Sequence, residues 1–174
     1  VTRRGWILLT GVAVVLGVGT ALGRTILRPT GIPEGQLRVE WRGAFRGQAT
    51  LPAQLQWCPI TRVGTLEAIS NDTGMLVSLR ERDSLSTGIH PILAPELGGD
   101  LPLPSAVASL RWVRDTGTIL GFQGQYGAVD LEAIGTTASG SFDIGMRRAF
   151  RADTVRVRGN FRNIPVVATA VGCP

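Results

Sequence analysis

The chain has 174 residues, 44% of them hydrophobic, with a net charge of +5 at neutral pH and a pI near 10.8. That length accommodates one domain and a short appendage, and a domain of about 140 residues buries a sizeable core without metals or many disulfides. With 23 glycines and 10 prolines, and few helix formers after the first segment, the composition favours short strands joined by turns. A pI this high would ordinarily raise nucleic acid as a partner, but a domain anchored outside the cytoplasm does not normally meet any. All 18 basic residues are Arg. A GC-rich genome accounts for that bias; selection for bidentate pairing with carboxylates or lipid phosphates is the functional alternative.

Residues 5–22 read GWILLTGVAVVLGVGTAL, with no charge, and Arg24 and Arg28 follow. About 20 helical residues cross a hydrocarbon layer of roughly 30 Å, and a helix satisfies its own backbone in lipid. Residues 1–28 are therefore expected to form a cytoplasmic tip and a transmembrane anchor. Arg3 and Arg4, with Ala21 and Gly23 as small residues, would also suit a cleaved leader; the expectation is a retained anchor. Arginines flank both ends, so charge orients the helix weakly. The short tail and long following domain place the N-terminus in the cytoplasm and the main domain in the periplasm, on a bacterial inner membrane. Ala13 with Gly17, and Gly19 with Gly23, recur at spacing four and allow close approach of another helix.

Residues 29–36 contain PTGIPEG and read as a linker. Period-two alternation then begins. Leu37, Val39, Trp41 and Phe45 alternate with Arg38, Glu40 and Arg42; Leu51, Ala53, Leu55 and Trp57 alternate with polar residues and Pro52. Arg46-Gly47 between these runs predicts a hairpin, with Pro52 at an edge or bulge. Asn71-Asp72-Thr73-Gly74 and Asp115-Thr116-Gly117 predict two more tight turns, between 66–70 and 75–80 and between 109–114 and 118–123. Further strands are expected at 128–134, 139–144, 155–161 and 166–171. About ten short strands predict a mainly β domain over 37–174, an antiparallel sandwich or barrel.

Residues 87–105 (TGIHPILAPELGGDLPLPS) read as a long apolar loop that covers one end of the domain, or docks on a partner or the bilayer. Arg147, Arg148, Arg151, Arg156, Arg158 and Arg162 form a basic stretch near the C-terminus. It would suit anionic headgroups or an acidic partner, each arginine near a lipid surface contributing about 1 kcal/mol; an ordinary solvated strand face is the plainer reading. Cys58 and Cys173 form an even pair, and outside the cytoplasm that reads as a disulfide.

The sequence offers little for catalysis. His90 is the single histidine and precedes Pro91, so it is expected in the loop without a role. Glu81 and Asp83 flank Arg82 in a turn-like stretch, where solvated charges are commoner than an acid–base pair. There is no phosphate loop, dinucleotide fingerprint, CxxC or haem-attachment motif. The expectation is a non-catalytic structural subunit that binds no cofactor itself. Its expected partners are integral membrane subunits and membrane lipids, not nucleic acid or a small-molecule substrate.

The layout of one anchor and a glycine-punctuated β-domain (SGSFDIGMRRAF…VRVRGNFRNIPV, within 139–167) resembles the type II secretion N component and related envelope β proteins. The Lys-free, anchor-plus-domain chain also resembles the small extrinsic subunits that clamp a photosynthetic reaction centre inside its light-harvesting ring in Gemmatimonas-type phototrophs. That second resemblance implies a role in holding antenna and reaction centre together, with pigments bound by other subunits. The first implies an envelope-transport role.

Overall fold

A computed structural model describes residues 31–95, 102–115, 117–168 and 173. The expected anchor, with Ala13, Gly17, Gly19 and Gly23, lies outside the described residues. Among the described residues no helix is long and apolar enough to cross a membrane.

Among the described residues nine strands run β1 (Gln36–Gly43), β2 (Gly47–Cys58), β3 (Val63–Ile69), β4 (Thr73–Arg80), β5 (Gly88–Pro91), β6 (Ser105–Arg114), β7 (Thr118–Ile134), β8 (Thr137–Arg148) and β9 (Thr154–Ala168). Strands β1 to β4 and β6 to β9 form an antiparallel meander. Because β9 pairs with both β8 and β1, the sheet closes into an eight-stranded barrel. The sandwich alternative is thereby corrected. Closure removes the exposed edges that two separate sheets would leave.

Alternation decides which side chains point inward. Leu37, Val39 and Trp41 of β1 pair across the wall with Leu51, Ala49 and Gly47, and Met75, Val77 and Leu79 of β4 with Ala68, Leu66 and Gly64. These residues and their counterparts on the other strands form one apolar core running through the barrel. An eight-stranded barrel is just wide enough for side chains to fill it. Here Phe122, Leu37, Leu55, Leu110, Leu131, Ile144 and Ile164 do so, all fully buried. Burying a side chain of this size contributes about 1.5–3 kcal/mol.

Two pairs of expected strands are single long ones. Residues 118–123 and 128–134 join in β7, which stays paired to β8 through two register shifts, at Gly124/Tyr126 and Leu131/Ala133. Gly127 sits at the first shift with φ +113°, and a Cβ there would lie 2.1 Å from the Asp143 carbonyl oxygen, so only glycine fits. Similarly, 155–161 and the start of 166–171 join in β9. Past the beginning of β1 it turns to pair in parallel with β2, Leu55 opposite Val166 and Trp57 opposite Ala168. Pro52, with no N–H to give, lies just beyond the last β2–β3 pair, Ala53 with Ala68.

The expected loop over 87–105 is partly regular. β5 pairs with β7, Gly88 opposite Leu131 and Pro91 opposite Ala128. The next residue, Ile92, then wedges between β6 and β7. Its N–H donates to the Gly127 carbonyl at 2.9 Å, and the Leu93 N–H donates to the Ala106 carbonyl at 2.9 Å. Cys58 and Cys173 form a disulfide across a separation of 115 residues, tying the C-terminal tail to the end of β2.

The two barrel ends differ. The linker enters β1 at one, called here the proximal end, which also carries the disulfide and the segment from Glu81 to His90. The other, distal end holds the turns at 44–46, 70–72 and 149–153, together with Asp115 and Gly117 between β6 and β7. An aromatic plug fills its mouth: Trp41 and Trp112 lie 4.9 Å apart, Trp112 stacks on Phe122 at 5.1 Å, and Phe45 meets Trp112 and Phe122 edge-on. The Arg114 guanidinium caps Phe45 at 5.7 Å.

Candidate interaction surface and buried polar cluster

The histidine expected to lie idle in a loop is instead buried. His90 is 1% exposed and Glu81, read as a solvated turn charge, is 5% exposed. Imidazole Nε2 lies 2.8 Å from Glu81 Oε1, and Nδ1 lies 3.1 Å from the Gly88 carbonyl oxygen. Both ring nitrogens thus face oxygen atoms. The Ser86 N–H donates to Glu81 Oε1 at 2.9 Å, and the Ser86 hydroxyl lies 3.1 Å from each carboxyl oxygen. The carboxylate is the middle member, so the serine hydroxyl faces Glu81 and not the imidazole. The cluster pins the 81–90 segment across the proximal end. Leu85, between its members, packs on the core.

The six arginines of the expected basic stretch do not form one patch. On the outer wall, Arg156 grips Asp143 with two bonds, Nε to Oδ1 at 2.6 Å and Nη2 to Oδ2 at 2.9 Å, and Arg158 adds a third at 3.1 Å. The hydrogen bond from Arg156 holds the Asp143 carboxyl below the ordinary aspartate range, with Arg158 adding to it and partial burial opposing. Asp143 in turn raises Arg156. Arg162 pairs across from Gln36 near the proximal end. Arg147, Arg148 and Arg151 gather at the distal end, where Arg148 bonds Asp153 at 3.3 Å.

Those three arginines, with Gln123, Gln125 and Phe150, line a groove of about 650 Å³. Phe150 is fully exposed, at 104%, and sits in the left-handed region with φ 59°. For a bulky L-residue that conformation costs roughly 1–2 kcal/mol. Asp115 and Asn163 also have positive φ but belong to the types that tolerate it. Arg62, the fourth such residue, donates its guanidinium to the Arg82 carbonyl at 2.7 Å. Phe150 has no comparable compensation in apolar contact.

A second groove of about 400 Å³ adjoins the first and shares Gln123 and Ala149 with it. It crosses the outer wall of β4, β6 and β7. Gly74 and Gly121 add no side chain to its lining, Ile69 and Leu76 give it an apolar side, and Arg111 a basic one. Exposed Ile119 and Val113 pair across β6 and β7 nearby.

No protein-family model, curated protein or solved structure matches this chain. Among the described residues no group of three or more His, Cys, Asp or Glu side chains is placed to hold a metal ion. The sequence marked Arg147, Arg148 and Arg151 as a basic stretch and Glu81 as a solvated turn charge, but passed over Phe150. The signal for Phe150 was a strand-to-strand turn, MRRAFRAD over 146–153, with an aromatic where glycine or asparagine is usual.

Proposed function

We propose that the chain is a non-catalytic structural subunit of a bacterial inner-membrane complex. In this reading one N-terminal helix anchors it and the β-barrel stands in the periplasm against integral neighbours. The observation that carries the proposal is the filled barrel. Its interior is taken up by aromatic and aliphatic side chains from the distal plug through to Ile164, which moves recognition to the outer wall and rims. The uncharged run at 5–22 and the disulfide support placement in an oxidising compartment beside a membrane.

Holding a photosynthetic reaction centre within its light-harvesting ring is the specific form of this role that the chain's layout favours. The glycine rhythm behind the resemblance to a secretion component has a packing cause. Gly145 lies under Tyr126 and Gly159 under Phe142, each ring occupying the space of a Cβ, and at Gly140 that space is taken by the Asp130 carbonyl oxygen and the Phe161 ring. Extraction of native membranes in mild detergent, followed by native electrophoresis, tests the proposal. Migration in a large assembly is expected, and bacteriochlorophyll absorption in that band selects the photosynthetic form. Migration as a lone small protein overturns the structural-subunit reading.

A further inference from the structure

We propose that the distal rim is the docking site for an acidic, amphipathic segment of a partner protein, with Phe150 as the apolar anchor. This rests on the structural-subunit reading and names the chemistry of the partner it needs. Three independent features converge on the rim. The first is shape and polarity: an apolar groove runs directly into an arginine-lined one, sharing Gln123 and Ala149. A segment with one greasy and one acidic side matches that sequence of surfaces.

The second is charge. Arg148 and Arg151 line one groove and Arg111 the other, with Arg148 paired to Asp153 at 3.3 Å. Guanidinium groups bind carboxylates through paired, charge-assisted hydrogen bonds. The third is Phe150 itself. A strained backbone that holds an aromatic ring wholly in water has no benefit to the isolated fold, and such outliers concentrate at working surfaces. An exposed aromatic beside arginines is also the composition of binding hot spots.

Position selects protein over lipid. The linker enters the barrel at the opposite end. Strand β8, 12 residues long, spans roughly 30 Å along the barrel axis after tilt, so the rim faces away from the surface in which the anchor would sit. A second copy of this chain is disfavoured by its pI near 10.8, which sets basic rim against basic surface.

The test places p-benzoylphenylalanine at position 150 of the full chain in native membranes, with the same probe at Ile60, an exposed residue in the β2–β3 turn of the proximal end. Irradiation is expected to link position 150 to a peptide of another protein that is net acidic and carries aliphatic residues, with a yield about tenfold above position 60. A Phe150→Ser, Arg151→Glu double variant, shown by thermal melting to be folded, is expected to lose about tenfold in retention of that partner at fixed salt. Adducts to lipid, to this chain's own residues or to a basic or neutral peptide overturn the proposal. So does a yield no higher than at Ile60, or unchanged retention by the folded double variant. A chain in a large complex that gives no such adduct sinks the rim proposal alone; a chain that is monomeric before any substitution sinks the subunit reading with it.

Discussion

Replacing His90 with Leu removes the ring that faces Glu81 while leaving the carboxyl group in place. Glu81 is 5% exposed and its imidazole partner 1%, so water cannot readily take over at Oε1. Breaking a buried pair by deleting one member costs about 3–5 kcal/mol, because the other is stranded. Unfolding entropy near 2.1 cal/mol/K per residue gives about 0.3 kcal/mol/K for a domain of roughly 140 residues. The expected loss in melting temperature of His90→Leu is therefore about 10–17 °C. The double variant Glu81→Leu, His90→Leu is expected to recover much of that loss. Ser86 is exposed, so its freed N–H and hydroxyl turn to water, and no charge remains in the interior. Urea unfolding and calorimetry of the three proteins complete the cycle. A single-variant loss below about 1 kcal/mol, the range of surface pairs, would refute the argument, as would a double variant worse than the single one.

The disulfide gives a second magnitude: a closed loop set by the separation of 115 residues corresponds to about 4.8 kcal/mol of unfolded-chain entropy. Urea unfolding with and without reductant is expected to show a large part of it, and midpoints that coincide would contradict it. For Asp143, the carboxyl titrates below its ordinary 3.8 in the fold because Arg156 bonds it. The ion cluster therefore stabilises the barrel at all pH values above that figure, and the contribution fades as pH falls through the lower folded value. Asp143→Asn is expected to flatten the acid limb of the stability curve below pH about 4, while an unchanged limb would remove Asp143 from the account. Gly159→Ala sets a Cβ 2.2 Å from Phe142 Cζ and is expected to cost about 1–3 kcal/mol by overpacking. Gly121→Ala, with nothing within 4 Å, is the control, expected to change stability by less than about 0.5 kcal/mol.

Local pattern exposed much of the barrel in advance. The alternation of Leu37, Val39 and Trp41 marked the inner face of β1, and Asn71 to Gly74 and Asp115 to Gly117 marked two hairpin turns. Closure was not legible, since alternation says which face is buried but not that β9 meets β1. β5 was hidden because Pro91 and a polar His90 both argue against a strand. Pairing on one side, to β7, is what lets Pro91 be accommodated. Burial of Glu81 was invisible for a related reason: its partner lies nine residues later, across a turn whose path depends on the whole barrel. The arginines read as one basic run because sequence cannot show that β9 carries Arg156 and Arg158 onto Asp143 while the end of β8 and the turn after it deliver Arg148 and Arg151 to the rim.

Native mass spectrometry of the chain released gently from its own membrane bears most directly on the central claim. The account predicts an assembly in which this 18.5 kDa chain is held together with at least one integral membrane subunit, and from which it dissociates as salt is raised. A spectrum dominated by the free chain under the gentlest conditions, with the barrel still folded, would contradict it.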